Sequence, residues 1–207
     1  MKIGIIGSGH IGGTLATKFA QAGHLVGMAN ARGPHTLQDR AKSLGDRVCS
    51  MTVEEAARFG EVVVVSIPFG QYHTVPVRQL TGKIVVDTGN YYPGRDGRFP
   101  GLEEGRTTSS EMVADHLAGA RLVKAFNAVR WDTLRDESRP RGAPDRTAIP
   151  LAGDDDEAKR VVADLIDEIG FDPVDVGDLA SGRRIQPGTP VYVAHLTAPE
   201  MTRRLAA

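Results

Sequence analysis

Cysteine is nearly absent. Cys49 stands alone in 207 residues, which excludes an internal disulfide and any cysteine-built metal site. An excess of one charge is also missing. Lys and Arg total 25 against 26 for Asp and Glu, a formal net charge of −1. The basic surplus of a nucleic-acid-binding chain is therefore lacking. No long apolar run occurs. The most apolar stretch, Val62–Val65 with Ile67, falls far short of the ~20 residues that a membrane span needs. The opening Met1-Lys2-Ile3-Gly4-Ile5-Ile6-Gly7 is too short and too broken by glycine to serve as a signal peptide. A soluble, cytoplasmic protein without a nucleic-acid or membrane partner is expected.

Several chemistries lack their residues as well. The six histidines (His10, His24, His35, His73, His116, His195) have no mutual ligand spacing. Asp154-Asp155-Asp156-Glu157 resembles a metal cluster but reads better as a helix start, where acids meet the positive end of the helix. No metal is expected. There is no Ser-His-Asp order, no Gly-x-Ser-x-Gly and no Walker sequence, and no internal repeat.

What is present is an ordinary globular composition, 41% hydrophobic and 25% charged, with 24 glycines. That glycine content suits tight turns or backbone held close to a ligand. Short apolar strands alternate with amphipathic helices. Strands are expected at Lys2–Ile6, Leu25–Ala29, Arg47–Ser50 (weak), Val62–Ile67, Ile84–Asp87 and Leu122–Phe126. Helices are expected at Gly9–Ala22 (closed by Gly23), Thr36–Leu44, Thr52–Phe59 (opened by a Thr52/Glu55 capping box), Val75–Leu80 and Ser110–Leu117. A strand every 20 to 25 residues implies parallel strands with right-handed crossovers. The fold class is α/β: a doubly wound parallel sheet spanning residues 1–127. Residues 128–207 form a small C-terminal α/β extension, with strands at Ala148–Ala152 and Pro173–Val176, a helix at Asp156–Ile169 and a last helix after Pro187. Thr88–Thr108 and Arg135–Arg146 lack periodicity. A connection that long reads as a lid or binding loop.

Gly7-Ser8-Gly9-His10-Ile11-Gly12 is Gly-x-Gly-x-x-Gly between a strand and a helix, the context the motif requires. Gly7 permits the turn, Gly9 lets backbone approach a pyrophosphate, and Gly12 lets the helix pack on the sheet. The anion then meets free N–H groups at a helix N-terminus. An NAD site needs an acid at the end of the second strand. Here Asn30-Ala31-Arg32 precedes Gly33-Pro34-His35-Thr36, and no acid comes before Asp39. Asn30 accommodates a phosphate without repelling it, Arg32 offers a charged planar fork, and Thr36 starts the next helix. The cofactor is expected to be NADP. Ligands of open sheets lie beyond the strand ends, so Ser66, Ile67 and Pro68, then Asn90, then Ala125 and Asn127, complete the candidate binding set. Asn90 also reads as a turn residue and Asn127 as a strand-end cap. No general acid is evident, and the catalytic residues are unassigned. Hydride transfer between two redox cofactors needs little beyond positioning and exclusion of water.

Gly7–Gly12, Ser66-Ile67-Pro68, Asp87-Thr88-Gly89-Asn90, Lys124-Ala125-Phe126-Asn127, Gly153-Asp154-Asp155 and Gly177-Asp178-Leu179-Ala180 occur in an order that resembles the NADPH-dependent F420 reductase family. That family is itself similar to the cytosolic reductase domain of membrane metalloreductases. The resemblance implies a Rossmann domain, a homodimer, and hydride exchange between NADPH and the deazaflavin F420 or a related flavin. It places pyrophosphate at Ser8–Ile11 and the 2′-phosphate at Asn30 and Arg32. Ala31 departs from the family, which carries arginine there, and Asn90–Gly105 looks longer. That segment holds Tyr91, Tyr92 and Phe99 with Arg95 and Arg98, and Arg106 follows it, a set suited to stacking on a flat ring and holding an anionic tail. It also reads as a solvated loop. Two other readings stay open: a reductase of small carbonyls or imines, and a non-catalytic NADPH-binding redox sensor. The tail residues Val191, Val193, Leu196, Met201 and Leu205 offer a dimer face or are covered by the chain itself.

Overall fold

The computed structural model describes residues 1–206. Eight strands form one sheet: β1 (Lys2–Ile6), β2 (Leu25–Ala29), β3 (Val48–Ser50), β4 (Val62–Val65), β5 (Ile84–Asp87), β6 (Arg121–Ala125), β7 (Ala148–Gly153) and β8 (Asp172–Asp175). Their spatial order is β3-β2-β1-β4-β5-β6-β7-β8. Every pairing is parallel except β6 with β7, which is antiparallel. The order in which strands are added reverses at β1, which lies between β2 and β4. This is the switch point at which open α/β sheets bind ligands.

The helices are α1 (His10–Gln21), α2 (Gln38–Ser43), α3 (Val53–Phe59), α4 (Val77–Leu80), α5 (Pro93–Asp96), α6 (Pro100–Glu103), α7 (Ser109–His116), α8 (Trp131–Asp136), α9 (Asp156–Glu168) and α10 (Ala198–Ala206). Shorter 3-10 turns lie at Pro34–Leu37, Phe69–Thr74 and Leu179–Ile185. Alternation within β4 shows how both sheet faces are covered. Val62 and Val64 enter the core beneath α1 and α9, whereas Val63 and Val65 enter the core beneath α3, α4 and α7. All four are buried, as a central parallel strand requires.

The helix ends follow local chemistry. Thr52 and Glu55 close a reciprocal capping box at α3, and Thr108 with Glu111 repeats it at α7. Gly23 (φ 98°) donates to the Ala20 carbonyl while His24 donates to that of Phe19, a Schellman stop for α1. Asp155 caps α9 by accepting from the Glu157 and Ala158 amides, so the acidic run is a helix start.

Several boundaries differ from expectation. The expected Thr36–Leu44 helix is split into a 3-10 turn and α2, because Pro34 starts the turn early. The strand expected to reach Ile67 stops at Val65, ahead of Pro68. Thr88–Thr108 is not irregular throughout; Pro93 and Pro100 each open a single helical turn. Helix α8 carries no long apolar period and went unread. The tail is covered by its own chain: Val191, Leu196 and Met201 are buried, and Leu205 packs on them, in a third core with Ile185 and Val176. Only Val193 of that set is exposed.

Candidate active site

The glycine turn divides into two kinds of position. At Gly7 (φ 108°) an added Cβ would stand 2.1 Å from the Ser66 carbonyl oxygen, and at Gly12 it would stand 2.0 Å from that of Gly7. Both glycines are demanded by packing. Gly9 (φ −68°) is different, because its Cβ would meet nothing within 4 Å. No protein contact explains a glycine there, whereas a ligand lying against the backbone does. Helix α1 starts beside it without a side-chain cap and without an acid in its first turn. The helix start is thus left open and electropositive toward an anion.

Two clefts meet at this turn. The first, about 500 Å³, runs from Gly7–Gly9 over Asn30, Ala31 and Gly33 to Val53, Ser66 and Pro68. Asn30 organises it. Its Oδ1 accepts from the Arg32 amide (2.9 Å), and its Nδ2 reaches the Thr36 and Ser8 hydroxyls at 3.0 and 3.3 Å. Thr36 also donates to the Gly33 carbonyl (2.8 Å), so its hydroxyl is held in place. Among the described residues, the exposed Arg32 guanidinium has no hydrogen-bond or ion-pair partner. Sequence reasoning missed Arg40. Its Nη1 donates to the Ser8 carbonyl (2.9 Å), and its guanidinium lies where a side chain on Gly13 would go. The one signal was a cation one helical turn beyond Thr36.

The second cleft, about 550 Å³, lies across the same turn. Gly9, His10, Ile11 and Ser66–Pro68 border it on one side, and Gly89, Asn90, Phe126 and Asn127 on another. Trp131, Tyr92, Arg95, Tyr192 and Val193 enclose it. His10 stacks on Trp131 (centroids 4.6 Å apart), which anchors α8 against the turn. Asn90 and Asn127 lock together. Asn90 Nδ2 donates to the Asn127 carbonyl (2.8 Å), while Asn127 Nδ2 donates to Asn90 Oδ1 (3.1 Å) and to the Ile185 carbonyl (2.7 Å). Asn127 Oδ1 is buried with no partner. An orphan acceptor of this kind calls for a donor from outside the chain. Ala125 is fully buried in β6 and reaches neither cleft; the strand's contribution passes to Phe126 and Asn127. Ala125 shares the core below α1 with Phe126, whose left-handed backbone (φ 61°) breaks the alternation of the strand.

Beneath the cleft lies a buried cation. Lys124, 1% exposed, donates to Ser110 Oγ (2.7 Å) and to the Gly89 carbonyl (3.1 Å), with the Asp87 carboxylate 3.8 Å away. Burial pushes its ammonium pKa down, and Asp87 opposes that. Asp87 in turn accepts from Ser110 (2.6 Å) and from the Gly89 amide (2.8 Å). The network holds the Thr88–Asn90 backbone under the cleft.

The aromatic and basic residues of Asn90–Gly105 do not act together. Tyr91 and Phe99 pack edge-on against Phe69 and belong to the core. Arg98 pairs with Glu103, and Arg106 with Glu104. Only Tyr92 and Arg95 face the cleft. Arg95 lies over the Tyr92 ring (4.9 Å) and donates to the Asn90 carbonyl (2.8 Å). Burial disfavours the Asp96 carboxylate, but Arg95 and the Tyr92 and Gly70 amides outweigh it, so its pKa lies below the ordinary value.

A glycine turn with two clefts across the switch point of an α/β sheet has the form of a dinucleotide-binding site. Residues 2–91 match the sequence model of the family described as NADP oxidoreductase, coenzyme F420-dependent. The chain is 30% identical to the F420-dependent NADP reductase of Methanocaldococcus jannaschii, over 93% of this chain and 91% of that protein. It is 32% identical to Metalloreductase STEAP3 of Rattus norvegicus over 89% of this chain, and spans only 36% of that longer protein. The crystal structure of a hypothetical protein from Sinorhizobium meliloti superposes with a TM-score of 0.81 at 34% identity, covering 95% of both chains. The chain belongs to the F420-dependent NADP reductase family and is an NADP-dependent oxidoreductase. No helix among the described residues is long and apolar enough to cross a membrane.

Proposed function

We propose that the first cleft holds the adenosine 2′-phosphate half of NADPH and that the second holds its nicotinamide together with a deazaflavin or flavin-type acceptor. The observation that carries this reading is Gly9, the one motif glycine that no protein atom requires, placed where the two clefts join. The amides of Ser8–Ile11 would take the pyrophosphate. Asn30 and Thr36 would receive the 2′-phosphate with the unpaired Arg32, and Arg40 would add charge from α2. The unpartnered Asn127 Oδ1 would accept from a carboxamide, with Asn90 holding it in register. Ile67 and Pro68 would bound the nicotinamide. Bound NADPH supplies a hydride; the chain's part is to align two flat rings and exclude water.

Residues 128–207 complete the acceptor side through Arg130, Trp131, Tyr192 and Val193. The family resemblance supports a cytoplasmic homodimer acting on a small-molecule redox co-substrate. The dimer face would have to use residues other than the tail set, which is largely covered. Spectroscopic turnover of NADPH against F420, FMN and FAD tests the acceptor, and light scattering tests the dimer. Turnover with one of the three and none with NADH is the expected result. Absence of turnover with all three, in protein that binds NADPH, would remove the ring-acceptor reading.

A further inference from the structure

The second cleft contains a hydroxyl pair that aligning two rings does not use. Tyr92 and Tyr192, one hundred residues apart, share a hydrogen bond of 2.5 Å. Tyr92 is 37% exposed toward the cleft, whereas Tyr192 packs against the C-terminal core. Holding Tyr192 there is costly. The next residue, Val193, has φ 48°, and Phe126, which also borders the cleft, has φ 61°. Among the described residues these are the only non-glycine positions with positive φ, and both line this cleft. Left-handed backbone at a valine is strained, and such strain collects at functional sites. The Val193 amide donates to the Ala128 carbonyl (2.9 Å), which fixes the strained turn.

The charges around the pair suit proton donation. The Arg95 guanidinium lies over the Tyr92 ring, and Asp96 is tied to Arg95 rather than to the phenol. Arg130 borders the cleft but is paired with Asp132, and His10 is stacked on Trp131. Burial, and after it the Tyr92 hydroxyl, push the Tyr192 phenol upward.

We propose that Tyr92 is the proton donor of this cleft, resupplied through Tyr192, and that the enzyme reduces an apolar carbonyl compound there. The inference rests on the NADPH reading above. The lining includes Trp131, Ile67, Pro68 and Val193, which suits an aldehyde or ketone without charge. The step balances. A hydride with its electron pair, from the dihydronicotinamide, bonds to the carbonyl carbon. The π pair moves to oxygen, which takes the Tyr92 proton. Tyr92 takes the Tyr192 proton, and Tyr192 takes one from water. The carbonyl is reduced to an alcohol, the dihydronicotinamide is oxidised, and one proton is consumed. Tyr92 is the catalytic residue of this step, and Tyr192 acts through it as a positioning residue.

The test uses the full chain with benzaldehyde and diacetyl, and with calorimetry of NADPH in parallel. Wild-type protein should oxidise NADPH with at least one of the two. Tyr92→Phe should keep its NADPH Kd and lose kcat on the order of 100-fold, the scale of general acid catalysis. Tyr192→Phe should lose less, and its kcat should rise with the concentration of buffer acid, which a merely structural role would not produce. A readout without turnover is alkaline titration of the cofactor-free protein followed by tyrosinate absorbance. Tyr192 should ionise at lower pH in Tyr92→Phe than in wild type. Wild type that binds NADPH but reduces neither carbonyl overturns this proposal and leaves the NADPH reading standing. Failure to bind NADPH overturns both. Unchanged kcat in Tyr92→Phe, or an unchanged tyrosine titration, overturns the role of the pair.

Discussion

The two clefts that meet at Gly9 are built in opposite ways. The first is made from three strand ends adjacent in the sheet, at residues 6–9, 30–33 and 66–68, closed by the start of α3 at residues 52–54 and by Thr74. Its special backbone positions are glycines, such as Gly7 at φ 108° and Gly33 at φ 92°. The second draws on residues from 9 to 193, and its special backbone positions are a phenylalanine and a valine. A surface that meets a chemically constant partner can be encoded by local turns. A surface that meets a variable partner is assembled from distant segments and held by strain and side-chain locks.

The largest effect that would sharpen this contrast is Gly12→Ala. A methyl 2.0 Å from the Gly7 carbonyl oxygen forces α1 away from the sheet. A loss of about 3 kcal/mol in stability is expected, read by chemical denaturation, together with loss of NADPH binding. Arg32→Ala follows. It should weaken NADPH by roughly 1.5–3 kcal/mol, the scale of a charge-assisted hydrogen bond, and leave NADH almost unchanged. Equal weakening of both in calorimetry would move the 2′-phosphate contact to Arg40. Gly9→Ala is subtler and more telling. With nothing within 4 Å of the new methyl, stability should change by less than about 1 kcal/mol. NADPH affinity should still fall about tenfold if the diphosphate lies against Gly9 as proposed, because the methyl would then meet it. Unaltered affinity would show that Gly9 faces no ligand and would undo the division into two clefts.

The same contrast explains what the amino-acid order revealed. The strands and their burial were legible because both faces of a covered sheet demand continuous apolar residues, as in Val62–Val65. The glycine turn was legible because close packing demands glycine at Gly7 and Gly12. The Asn30–Arg32 end was legible through its missing acid. Arg40 was not, since a cation on a short exposed helix has no local signature, and its meeting with Ser8 is set by how α2 packs beside α1. The Tyr92–Tyr192 pair was not legible because nothing local links residues one hundred apart. Tyr91 and Phe99 looked like Tyr92 in sequence. Only packing against Phe69 separates the wall residues from the one that faces the cleft. Ala125, the last residue of β6, lies wholly in the core.

The smallest expected effect comes from a region outside both clefts and so serves as their control. Asp155 caps α9 and accepts two hydrogen bonds from Arg121 of β6, at 2.6 and 2.8 Å. Arg121 first, and then the Ala158 amide, hold its carboxyl below the ordinary range. A carboxyl whose folded pKa lies below its unfolded value of about 3.9 stabilises the fold above that value and ceases to do so as pH falls through the folded pKa. Asp155→Ala should therefore lower Tm by a few degrees near neutrality, and the gap from wild type should close in strong acid. NADPH affinity and acceptor KM should not move, because α9 borders neither cleft. A change in either would mean that the antiparallel β6–β7 junction transmits strain to Phe126 and Asn127, and the acceptor side would then depend on the C-terminal extension for its energetics as well as for its walls.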